Sequence, residues 1–142
     1  AENDVFLIFD EIQSGIGRTG EWFYYQHFGI IPDILTTAKG IASGLPLGAC
    51  LSTKVIMDQW TTGSHGGTYG GNPITCAAGI ATLDVLTPQL ATISTIGQQA
   101  IERLTHELSP LRGIGDIRGK KEFLVNFTDL PMTNQSLQSH LN

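Results

Sequence analysis

Two residues of this chain have the types and positions to act together on one ligand. Asp10 ends the apolar run Val5, Phe6, Leu7, Ile8, Phe9, and Lys39 ends the stretch Asp33, Ile34, Leu35, Thr36, Thr37, Ala38. Both stretches read as buried strands. In an open α/β sheet a ligand lies in the crevice outside the carboxyl ends of the strands, so an acid and an amine placed there face one space. A lysine amine condenses with an aldehyde to form a Schiff base, and a carboxylate beside a ring nitrogen keeps it protonated so that the ring accepts electrons.

Pyridoxal phosphate needs this pair. Substrate amine displaces the lysine, which is then free to move a proton between the substrate Cα and the cofactor, as general acid/base work by an amine whose pKa burial has lowered. Taken singly, each residue also has a plain structural explanation. An Asp after a strand is a turn former or helix cap, and a lysine is a solvated surface charge. Their company is more specific: Asp10-Glu11-Ile12-Gln13, then Gly15-Ile16-Gly17-Arg18-Thr19-Gly20, then Ala38-Lys39-Gly40, then Gly66-Gly67-Thr68-Tyr69-Gly70-Gly71-Asn72-Pro73.

On these motifs, in this order, residues 5–119 resemble the class III aminotransferases, fold type I pyridoxal-phosphate enzymes that include the 4-aminobutyrate, ornithine and acetylornithine aminotransferases. The resemblance implies that Lys39 is the Schiff-base lysine and Asp10 the partner of the pyridine nitrogen. It implies that Gln13 contacts the ring hydroxyl of the cofactor. It also implies that Thr68 holds the cofactor phosphate, across the interface of a homodimer.

Gly15 to Gly20 also satisfies G-x-G-x-x-G, the dinucleotide pattern. That pattern opens a helix directly after a strand and is followed by an acid at the end of the next strand. Here Asp10 to Ser14 intervenes, and Asp33 starts its apolar run. An irregular loop needing positive φ is the better reading.

The chain has 142 residues, 41% hydrophobic, with a formal charge of −5. The acidic balance argues against nucleic acid or a membrane surface as the main partner. Uninterrupted apolar runs fall well short of the ~18 residues of a membrane span, no secretory signal opens the chain, and a cytoplasmic protein is the default. Cys50 and Cys76 lack metal-ligand spacing and read as reduced core thiols. No metal is expected. The run at 5–9 is apolar on both faces, as in the middle of a covered parallel sheet, yet it starts at the beginning of the chain. The rest of its sheet must come from elsewhere, in a larger enzyme of which this is a fragment or as the loss in a truncated product.

The expected fold class is α/β: part of a fold type I large domain, a mostly parallel sheet with helices on both faces, plus the start of a small C-terminal domain. Residues 1–88 read as the C-terminal part of the large domain, 89–109 as a connecting helix and 110–142 as the start of the small domain with an irregular polar tail. A short aromatic helix is expected over 21–28, strands over 34–37 and 47–52, and a short helix over 55–60. The glycine-rich loop 61–71 suits phosphate, and Asn72 caps a helix over 74–86 with Pro73 at N1. That helix is apolar nearly all round, which predicts burial. After a break at Thr87-Pro88, an amphipathic helix presents Ile93, Ile96, Ala100, Ile101, Leu104 and Leu108. A strand follows at 114–119. Family members usually continue after this Arg-Gly with further glycine, whereas Lys120-Lys121-Glu122 intervenes here, and 133–142 is polar and is expected to fray.

Further residues have two readings. His65 and Glu11 read better as structural hydrogen-bonding groups than as ligand contacts, Arg18 as bonded to loop carbonyls, and Trp22 to Tyr25 as packing. The function expected is transamination through Lys39, from an ω-amino acid, diamine or related amine to a 2-oxo acid. The alternatives are a racemase or epimerase of the same fold, and an inactive truncated fragment.

Overall fold

The computed structural model describes residues 5–119 and the strand Phe123–Phe127. In chain order the elements are β1 (Ile8–Asp10), a 3₁₀ turn (Tyr24–Phe28), β2 (Ile34–Thr37), a second 3₁₀ turn (Lys39–Ala42), β3 (Ala49–Ser52), α1 (Lys54–Met57) and α2 (Pro73–Leu86). A third 3₁₀ turn (Thr87–Gln89), α3 (Leu90–Leu108), β4 (Ile114–Gly119) and β5 (Phe123–Phe127) complete it. β1, β2 and β3 form one sheet in that order, and β4 and β5 form an antiparallel hairpin. Lys120 to Glu122 and the tail at 133–142 lie outside the described residues.

β1 runs parallel to β2 with Asp10 opposite Thr36, and β2 runs antiparallel to β3 with Thr37 opposite Ala49. The three described strands thus hold one parallel and one antiparallel pair, consistent with the α/β class expected. The link between β2 and β3 holds one 3₁₀ turn and the Gly44-Leu45-Pro46 bend, too short for the crossover that a parallel neighbour requires. β1 lies at the edge of these three strands, not in the middle. Leu7 extends its pairing: its amide donates to Asp33 Oδ2 at 2.8 Å, and its carbonyl accepts from the amides of Asp33 and Ile34. Val5 and Phe6 stand 68% and 63% exposed, so the layers that an all-apolar strand needs are not supplied by the described residues.

The same holds for α2. Its start matches expectation, with Asn72 Oδ1 accepting from the amides of Ile74 and Thr75 and Pro73 in the first turn. Its burial does not. The buried residues are Thr75, Gly79 and Thr82, at the 4- and 3-residue spacing of one helix face, whereas Ile74, Ile80 and Val85 are about two-thirds exposed. The small polar face is turned inward because the second 3₁₀ turn passes too close for larger side chains. A Cβ on Gly79 would lie 3.0 Å from Leu47 Cδ2 and 3.4 Å from the Ile41 carbonyl.

The helical path does not stop at Thr87-Pro88 but passes through the 3₁₀ turn into α3. The stretch Pro73–Leu108 has the length and apolar content of a membrane span, as core helices of soluble proteins also do. Isoleucine, leucine, valine and alanine side chains, interrupted by threonine and glycine, give it that character without an unbroken apolar run. On α3, Gly97 is buried, while Ile96 is exposed against expectation. The contact line runs through Ile93, Gly97, Ala100 and Leu104, and Ile96 lies beside it.

Smaller departures have local causes. The helix expected at 21–28 is the five-residue 3₁₀ turn, closed by Gly29 at φ +66°. The helix expected at 55–60 spans Lys54–Met57. Cys50 and Cys76 sit on a strand and a helix as expected, but both are exposed, because they occupy faces that the described residues leave uncovered.

Candidate active site

Parallel pairing of β1 with β2 brings Asp10 and Lys39 to the same end of the sheet, since Asp10 is opposite Thr36 and Lys39 follows three residues later. Asp10 Oδ1 accepts from the Ile12 amide at 3.0 Å and from the Thr36 hydroxyl at 3.3 Å. These two bonds fix the carboxylate. Oδ2 takes no hydrogen bond from the described residues. Lys39 opens its 3₁₀ turn at φ +49°, a left-handed conformation that is uncommon outside glycine, and its Nζ donates to Gln13 Oε1. Asp10, Gln13 and Lys39 are thus brought together.

Thr68 is not. It sits exposed in the loop between α1 and α2, and its side chain makes no hydrogen bond among the described residues. Gly66 and Gly67 there have open space around them. His65, in the same loop, has a ring contact with Trp60 at 5.9 Å. Arg18 lines a cleft of about 630 Å³ between the Gly15–Gly20 loop, the Lys39 turn, α2 and α3.

Glu11 holds the framework behind the site. It is 3% exposed. Its carboxylate accepts from the Ser14 hydroxyl at 2.8 Å and from the amides of Tyr24 and Tyr25 at 2.7 and 2.8 Å. The two amides open the aromatic 3₁₀ turn, where backbone N–H groups lack partners within the turn and favour an anion. Phe23 and Tyr25 stack at 6.0 Å, and Phe9 of β1 meets Tyr25 at 6.4 Å. The glycine loop is only partly glycine-driven. Gly17 and Gly20 have positive φ, but so has Ile16 at +56°, while Gly15 is required by space: a Cβ there would lie 2.7 Å from the Glu11 carbonyl.

Sequence reasoning missed Thr36, because a threonine in a strand reads as a β-former. It also missed a bond between Ser43 and Thr82, whose hydroxyls lie 2.8 Å apart across 39 residues of sequence. No local pattern signals such a pair.

The sheet, its flanking helices and this constellation define an α/β protein of the fold type I kind. The family described as aminotransferase class-III matches residues 1–139, and the chain belongs to it. The chain is 44% identical over 119 residues to the acetylornithine aminotransferase of Aquifex aeolicus, covering 84% of this chain and 30% of that protein. It is 48% identical over 121 residues to that of Oceanobacillus iheyensis, covering 82% and 30%. Among solved structures, the acetylornithine aminotransferase of Elizabethkingia anophelis matches with a TM-score of 0.87 at 31% identity, over 99% of this chain and 36% of that one. The ornithine aminotransferase of Toxoplasma gondii, whose structure shows partial occupancy of PLP at the active site, matches with a TM-score of 0.84 at 34% identity, over 89% and 31%. The chain thus spans about 30% of the length of the curated relatives it matches.

Pyridoxal 5′-phosphate is the cofactor of this family, and the donor set present fits it in part. Asp10 offers a carboxylate fixed through Oδ1, with no hydrogen bond on Oδ2 from the described residues, and Lys39 offers an amine at the same end of the sheet. The glycine-rich loop expected to meet the phosphate stands exposed among the described residues.

Proposed function

We propose that this chain carries the tethering lysine and ring-nitrogen acid of a pyridoxal-phosphate-dependent aminotransferase. The donor is an ω-amine and the acceptor a 2-oxo acid. The observation that carries the reading is Lys39 Nζ held on Gln13 Oε1 at the same end of the paired parallel strands as the Asp10 carboxylate, which Thr36 and the Ile12 amide fix. The cofactor, when bound, supplies the electron sink that lets a proton leave the substrate Cα. Asp10, fixed by Thr36 and the Ile12 amide, holds the ring nitrogen protonated. Lys39 would hold the cofactor covalently through Nζ, and the same amine would move the proton at the substrate Cα. Gln13 keeps the lysine amine and the ring hydroxyl in register.

Thr68 we assign to the phosphate bound by a neighbouring subunit of a homodimer, in keeping with its exposed loop. Residues 1–88 are assigned to the cofactor domain, 89–109 to the connecting helix and 110–142 to the start of the small domain. The acetylornithine aminotransferases among the relatives point to a donor whose amine lies at the end of an ornithine-like chain. A soluble, cytoplasmic enzyme fits this reading, with the apolar α2 covered by the rest of the large domain.

The test uses this chain extended to the full length of its relatives. Addition of pyridoxal phosphate should give a visible absorption band that borohydride fixes onto Lys39, and the protein should convert an ω-amino donor and a 2-oxo acid. Lys39→Ala should abolish both. Full turnover in Lys39→Ala would overturn the assignment.

A further inference from the structure

Lys39 and Ser43 bracket one turn, and both have left-handed backbones, at φ +49° and +50°. Such residues persist only where surrounding structure over-determines them. Within the turn the support is slight: the Ile41 amide donates to the Ala38 carbonyl at 3.2 Å and the Ser43 amide to the Gly40 carbonyl at 3.3 Å. The turn lines the open cleft with Gly40 and Ser43, and α2 lines the same cleft with Ala78, Ala81 and Thr82. Beside the cleft the turn meets α2 directly.

That contact is close and polar. Gly79 lets the helix backbone approach the Ile41 carbonyl, and Ala42 is 1% exposed beneath it. The Thr82 hydroxyl donates to the Ala78 carbonyl at 2.8 Å, so its one proton is spent. The 2.8 Å contact with Ser43 must then be donated by Ser43 and accepted by Thr82. This single bond ties the far end of the strained turn to the helix.

We propose that Gly79 and Thr82 of α2, with Ser43, are positioning residues for Lys39, acting on its proton transfer more than on its tethering. The inference rests on the assignment of Lys39 as the tethering lysine. A long, flexible side chain still reaches an aldehyde when its backbone shifts, because the covalent bond then holds it. A released amine has no such bond. It must be aimed by its backbone together with its bond to Gln13, and a misplacement of about 1 Å costs about 100-fold in rate.

The experiment uses the chain at the relatives' full length, with Thr82→Val, Thr82→Ser and Ser43→Ala. Thr82→Val and Ser43→Ala should still be fixed to the cofactor at Lys39 by borohydride. Their kcat should fall about 10- to 100-fold with KM little changed, and Thr82→Ser should restore it. In the cofactor-free protein, amide exchange at Ile41 and Ser43 should quicken about tenfold in the first two variants and not in Thr82→Ser. Because Ser43 is exposed, Ser43→Ala removes the same bond without a buried change, should Thr82→Val fail to fold. Normal kcat and unchanged exchange in a folded Ser43→Ala protein would overturn the proposal alone. If the unsubstituted protein forms no adduct at Lys39, the assignment of Lys39 falls and the proposal with it.

Discussion

A carboxylate that is 3% exposed and accepts three hydrogen bonds shows how differently two adjacent acids are used. Asp10 uses only Oδ1 for hydrogen bonds among the described residues, whereas Glu11 spends its acceptors on Ser14, Tyr24 and Tyr25. A carboxylate is an acceptor only, so Glu11→Gln places an NH₂ group against a donor. It should destabilise the protein by about 2 to 3 kcal/mol, seen as a lower urea midpoint with an unchanged slope. Asp10→Asn belongs to the other class. It should leave the urea midpoint nearly unchanged but lower kcat about 100-fold or more, because an amide cannot stabilise a positive charge on a ring nitrogen. That Asp10 and Lys39 stand at one end of the sheet was legible in the sequence, because each follows a strand-like stretch. Thr36 and Ser43 were not, since hydroxyl residues in strands and turns carry no mark of the partner they meet.

At the level of elements, α2 has two jobs that pull its composition apart. Its apolar side chains, among them Ile74, Ile80 and Val85, were readable as a demand for burial, but the face that packs within this chain is Thr75, Gly79 and Thr82. Which face meets which neighbour is set by the sheet and turn beneath it, and a helix apolar nearly all round gives no periodicity from which to choose. Its start was readable because Asn-Pro is a local signal. Asn72→Ala should cost about 1 kcal/mol through loss of the bonds to the Ile74 and Thr75 amides, measured as a fall in Tm, and Asn72→Asp should recover most of it. The antiparallel β3 was less accessible, because strand direction follows from the length of the link after β2 and not from residues 49–52.

For the whole molecule, the exposed apolar faces of β1 and α2 make the 142 residues a poor unit by themselves. Contiguous apolar surface of this kind marks a missing interface or an aggregation hazard. Expressed alone, the chain should bind a hydrophobic dye strongly and elute as soluble aggregate on gel filtration. It should bind pyridoxal phosphate weakly and show no turnover; measured transamination by the isolated chain would contradict this. The sequence announced the deficit in the two-sided apolar run at 5–9, but not which neighbours relieve it, since burial by an absent layer leaves no trace beyond hydrophobicity.

The parallel pairing of β1 with β2 has a consequence for the order in which the site comes into being. Asp10 and Lys39 are joined by a segment whose closure costs roughly 3 kcal/mol of chain entropy, and Leu7, Asp33 and Thr36 supply bonds across it. Under the roles proposed above, this half of the pocket depends on contacts near in sequence and is suited to early folding. In the homodimer proposed above, Thr68 would reach a phosphate only when a second subunit docks, a slow and concentration-dependent event. Assembly is then the last step in building the pocket, and dilution of the dimer should cost grip on the phosphate before it costs the amine.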